Sequence, residues 1–128
     1  MNRSHDIEGL FSLFATSESG RLLAVRSGYR PLHKVHENYM SSGHHQYPDV
    51  DEVSPGEVTK VLIWLISPDV YPASMWSGRE IEISEGNRAM GVVKVTKVLN
   101  AALLGSPENF SSIWVEPSIV SPSTQDKT

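Results

Sequence analysis

Apolar residues recur at every second position over several short stretches of this chain, which is the spacing of β-strands with one face buried. "DIEGLFSLFA" (6–15) sets Ile7, Gly9, Phe11, Leu13 and Ala15 on one side of an extended segment, with Leu10, Ser12 and Phe14 on the other. "TSESGR" (16–21) then collects small and polar residues into a turn. "LLAVRSGYRPLHKVH" (22–36) resumes as an extended segment broken at Gly28 and Pro31, residue types that bulge or kink a strand. Residues 37–56 are polar and punctuated by Gly43, Pro48, Pro55 and Gly56, which predicts a long loop or a loose hairpin.

"EVTKVLIWLIS" (57–67) is the most β-prone run, with Val61, Ile63 and Leu65 on one face and Leu62, Trp64 and Ile66 on the other. Apolar residues on both faces predict burial on both. After a proline-rich crossing, "PDVYPASMWSG" (68–78), "REIEIS" (79–84) alternates cleanly, "EGNR" (85–88) reverses the chain, and "MGVVKVTKVL" (90–99) alternates again as the return strand of a hairpin. Asparagine and glycine in that reversal are the residues that tolerate positive φ. No helical period runs longer than "KVLNAALL" (97–104). Five or six strands joined by glycine and proline turns predict an all-β barrel or sandwich over residues 1–104, and closure into a barrel would hide the edge strands.

The chain has 128 residues, 39% of them apolar, enough for one domain with a real core. A formal charge of −4 and a pI near 5.7 provide no overall attraction for phosphate backbones, so nucleic-acid binding would need a local basic patch. The absence of cysteine excludes disulfides and thiolate metal sites. No apolar run is long enough for a signal peptide or a membrane span, and the expected location is cytoplasmic.

His33, His36, His44 and His45 are close in sequence, and imidazole is a common zinc ligand. However, a strand sends His33 and His36 to opposite faces, and His44 and His45 are adjacent on the predicted loop, so surface histidines and no metal are expected. "YPDVDEVSPGE" (47–57) reads as a solvated acidic rim, and neither a G-x-S-x-G elbow nor a phosphate loop G-x-x-x-x-G-K-[ST] occurs. No catalysis, GTP hydrolysis or cofactor is therefore expected of this chain.

"SGR" (19–21), "SGYRP" (27–31), "VSPGE" (53–57), "LISP" (65–68), "EGNRAMG" (85–91) and "VTKVL" (95–99) occur in an order that resembles the third, C-terminal domain of translation elongation factor Tu, over roughly residues 7–99. The resemblance implies a closed six-stranded antiparallel β-barrel. It also implies two partners, the backbone of the tRNA T-stem and the nucleotide-exchange factor. Arg21, Glu85 and Gly86 match family positions that approach the RNA. Arg30 and Arg88, with Arg26 and Lys34, would add positive charge if the barrel gathers them. The family's next polar groups are replaced by Leu22, Leu32 and Ser84, and its "DVTG" turn gives way to "YMSSG" (39–43), where Ser41 or Ser42 would have to supply the hydroxyl. These losses weaken tRNA binding as an expectation. Local structure also explains Tyr29 as a packed ring with a satisfied hydroxyl, and Arg88 as a partner of Glu85 across the turn or an anchor at the barrel end.

Two features point instead to protein contacts. Met75 and Trp76 lie in the crossing segment, and tryptophan is a preferred interface anchor. "NFSSIWVEPSIV" (109–120), with Phe110 and Trp114, is too apolar for water; as an extension over 105–120 it is expected to pack on the barrel, with docking to another chain as the alternative. Residues 121–128 are expected to be disordered. The expectation is a non-catalytic module acting through protein contacts, a mimic, decoy or immunity-like protein whose partner is a translation component or a toxin directed at one. An RNA-binding module and a scaffold or oligomerisation domain are the alternatives.

Overall fold

The computed structural model describes residues 3–108 and Phe110. Eight strands follow in order: β1 (Ile7–Leu13), β2 (Val25–Arg26), β3 (Leu32–His36), β4 (Tyr39–Gln46), β5 (Glu52–Val53), β6 (Val58–Leu65), β7 (Glu80–Glu85) and β8 (Arg88–Val98). A single helical turn, α1 (Thr16–Ser19), follows β1, and 3-10 turns occupy Pro68–Val70 and Ala101–Leu103. Six strands pair antiparallel in the order β1-β6-β4-β3-β7-β8 and close on β1. β2 and β5 form a small separate ribbon. The all-β class and the closed six-stranded antiparallel barrel are thus as expected.

Period-two alternation fills the cylinder. Ile7, Phe11 and Leu13 of β1, Val61 and Ile63 of β6, and Ile81 and Ile83 of β7 all point inward with essentially no exposure. Each such side chain contributes about 1.5–3 kcal/mol by leaving water. The outer face of β6 is only partly covered, which differs from the expectation of burial on both faces. Trp64 is buried because its indole N–H donates to the Arg3 carbonyl at 2.7 Å and the rings of His5 and His44 pack edge-on against it, whereas Ile66 is 69% exposed.

The stretch 37–56, expected to be a long loop or a loose hairpin, contains two strands. β4 pairs with β3 on one side and β6 on the other, its polar sequence tolerated because its inward positions are Ser41, Gly43 and His45. Residues 100–105 return across one end of the barrel. The Met75 N–H donates to the Leu103 carbonyl at 2.8 Å, and the Gly105 N–H donates to the Met75 carbonyl at 2.8 Å.

A polar knot ties the N-terminal segment to this end. The buried Asp6 carboxylate accepts from Arg3 Nη1 (2.7 Å), Asn100 Nδ2 (2.9 Å) and the Leu65 N–H (2.7 Å), while its carbonyl accepts from the Leu99 and Asn100 N–H groups. A buried carboxylate needs such a set of donors, because an ionised group without partners is costly to take out of water.

Candidate binding face

Arg21, Glu85 and Tyr29 meet on the wall where the segment after α1 passes the β7–β8 hairpin. Gly86 takes φ +61° as the first residue of the two-residue turn, the geometry of a type II′ hairpin, while Asn87 has a negative φ. Glu85 therefore projects from the end of β7 toward the loop. Its Oε2 accepts from Arg21 Nη1 and from the Tyr29 hydroxyl (2.6 Å), and the Arg21 guanidinium lies 5.5 Å from the centre of the Tyr29 ring. Burial first, and the Glu85 carboxylate second, push the Tyr29 hydroxyl far above its ordinary pKa, so it remains a donor.

The loop itself is fastened at its polar atoms. Arg21 Nε donates to the Leu23 carbonyl (2.8 Å), the Arg21 N–H to Ser19 Oγ (3.1 Å), and the Thr16 hydroxyl to the Arg21 carbonyl (2.7 Å). Arg88 does not pair with Glu85, whose carboxylate is already taken; its Nη1 reaches the Ser19 carbonyl at 3.3 Å and anchors the loop. With the backbone held in this way, Leu22 and Leu23 stand out at 79% and 73% exposure. Beside them is a hollow of about 340 Å³ lined by Gly20, Arg21, Glu85, Arg88 and Met90.

The structure brings Arg21, Glu85, Gly86 and Arg88 together, but it does not make them a basic patch. Arg21 is neutralised by Glu85, and Arg26 pairs with Glu52 at 3.2 Å. Arg30 and Lys34 make no ion pair among the described residues. Arg30 edges a separate hollow of about 380 Å³ with Arg3, Ser42, His44 and Trp64. There Arg3 is already committed to Asp6 and to the Leu65 carbonyl, so that among the described residues only the Arg30 guanidinium of that hollow is without a hydrogen bond.

Met75, Trp76 and Phe110 of the partner-binding candidates each meet neighbours within their own chain. Met75 is completely buried and bridged to Leu104 through the backbone, so its side chain belongs to the core and is not offered to a partner. Trp76 and Phe110 contact each other, with ring centres 5.5 Å apart. The Arg79 guanidinium lies 5.2 Å from one ring and 4.8 Å from the other, and Phe110 also meets His36. Trp114 and the rest of 111–128 lie outside the described residues.

Sequence reasoning missed a polar chain in the interior. His45 is on a strand, not a loop, and points inward with His33; both are fully buried, contrary to the expectation of surface histidines. Their Nε2 atoms are 2.9 Å apart, His33 Nδ1 is 3.0 Å from the Ser41 carbonyl, and His45 Nδ1 is 2.9 Å from the Tyr47 hydroxyl. Gly43 makes room for this arrangement, because a Cβ there would lie 2.6 Å from His33 Cε1. The alternation through Ser41, Gly43 and His45 was the available signal, obscured by its small and polar members. His44, the outward neighbour, has its pKa lowered by desolvation and then by the Arg30 charge.

These observations define a small closed β-barrel bearing a clasped loop with an apolar tip. No family model matches the chain. No helix among the described residues is long and apolar enough to cross a membrane, and no three His, Asp or Glu side chains there converge as metal ligands.

Proposed function

We propose that this chain is a non-catalytic binding module that acts through protein contacts, with Leu22 and Leu23 as its contact edge. The observation that carries the proposal is the pairing of a fixed backbone with an uncovered apolar tip. Ordering costs at an interface fall when the loop is already held, and two leucines beside a hollow rimmed by Arg21, Glu85 and Arg88 offer an apolar centre with a polar border. The resemblance to the third domain of elongation factor Tu directs the choice of partner to a translation component, or to a toxin directed at one, with a mimic, decoy or immunity-like role as its most specific form. That part rests on analogy of fold.

Engagement of tRNA is the weaker reading. Phosphate binding needs cations without internal partners, and the matched Arg21 is occupied by Glu85 and Tyr29. The experiment is capture from a lysate, with and without nuclease, by the protein and by the double variant Leu22→Ser/Leu23→Ser. The proposal expects a nuclease-resistant protein held by the parent and lost from the variant. Retention of tRNA that falls steeply with salt, and equally in both proteins, would replace it with the RNA reading.

A further inference from the structure

The polarity of the chain from Tyr47 to Ser41 follows from its two ends. A carbonyl oxygen can only accept, so His33 Nδ1 carries a hydrogen and donates to Ser41. In a neutral ring His33 Nε2 is then a bare lone pair. It faces His45 Nε2 at 2.9 Å, so the hydrogen between the rings belongs to His45. His45 Nδ1 is in turn bare and accepts from the Tyr47 hydroxyl. Every ring nitrogen is satisfied in this one arrangement, and both rings are neutral in it.

Added protons break it. A hydrogen on His33 Nε2 opposes the hydrogen of His45 unless His45 moves its own to Nδ1, which then confronts the Tyr47 hydroxyl and turns it away. A second proton leaves N–H against N–H across 2.9 Å. Among the described residues no carboxylate touches either ring to compensate the charge. From β1 the rings meet Phe11, whose centre is 5.1 Å from His45; from the segment before β3 they meet Tyr29 at 5.7 Å, and beyond β4 Tyr47 at 5.7 Å. His44, the residue before His45, adds a titratable group of like sign, and the Glu85 carboxylate lies beyond Tyr29, already bound to Arg21.

We propose that the facing His33 and His45 rings make this barrel an acid-sensitive fold, which loses stability in mildly acidic solution because the rings take up protons only when the barrel unfolds. Desolvation holds His33 down to about 4 and His45 well below its ordinary value of 6.5. The unfolded chain therefore binds protons that the folded one refuses. Stability from this pair is present above pH 6.5 and is lost as pH falls from there toward 4, a window that opens above the ordinary carboxylate range and meets it only at its lower end. Each ring changes the folding equilibrium about tenfold per pH unit in that window, roughly a hundredfold for the pair.

The test is denaturant unfolding of the full chain from pH 7.5 to 5.0, with the imidazole nitrogens followed by NMR. Expected are an uptake of about two protons on unfolding between pH 6 and 5 assigned to these rings, and unprotonated spectra for both in the folded state at pH 5. His33 should show its hydrogen on Nδ1 and His45 on Nε2. The double variant His33→Leu/His45→Leu should lose most of the pH dependence. Folded-state titration of either ring above pH 6, or unchanged pH dependence in the double variant, would overturn the proposal. If that variant does not fold, the ring spectra of the unsubstituted protein decide alone.

Discussion

The surroundings of Trp76 and of Leu22 both carry apolar groups near the surface, and they differ in what covers them. Around Trp76, the chain supplies its own cover: Phe110 packs on the indole, Arg79 spans both rings, and residues 103–105 are hydrogen-bonded to Met75. Around Leu22, hydrogen bonds and an ion pair fix the backbone and leave the side chains bare. Tryptophan is the stronger generic interface anchor, yet of these two places it is the leucines that are accessible. Whether a residue can serve a partner depends on what else its own chain places against it.

Substitutions at the two places should therefore separate stability from binding. Met75→Ala empties a core position and should destabilise the fold by about 2–5 kcal/mol in denaturant unfolding, with binding per folded molecule unchanged. Trp76→Ala should cost about 1–2 kcal/mol through the lost ring and guanidinium contacts, again without loss of partner. Glu85→Ala removes the acceptor shared by Arg21 and Tyr29. Because this clasp is partly open to solvent, the expected cost is only about 1 kcal/mol; the freed arginine should raise retention on tRNA at low salt above that of the parent. Leu22→Ser/Leu23→Ser should change stability by less than about 0.5 kcal/mol while abolishing binding. If that pair instead lowered the melting temperature as Met75→Ala does, the loop tip would be part of the core and the contrast would fail.

The strands of the barrel were legible wherever alternation used large apolar residues, as in Ile7, Phe11 and Leu13 or Ile81 and Ile83. β4 was not, because Ser41, Gly43 and His45 fill the interior with hydrogen bonds and ring packing and leave no hydrophobic trace. Tyr29 was correctly read as a packed ring with a satisfied hydroxyl, but its partner Glu85 is 56 residues away in sequence, a distance no local pattern spans. The same limit applies to Arg21: its matched position was visible, whereas its neutralisation depends on Glu85, 64 residues further along the chain. Exposure of Leu22 and Leu23 was not legible, because their run opens a segment whose pattern reads as extended chain.

The most direct test of a protein-binding role for the clasped loop is site-specific photo-crosslinking in lysate, with a benzophenone amino acid placed at residue 22 in one preparation and at residue 76 in another. A discrete, nuclease-resistant protein adduct from residue 22 and none from residue 76 is the expected result. Adducts from residue 76 alone, or nucleic acid as the only species captured at residue 22, would contradict it.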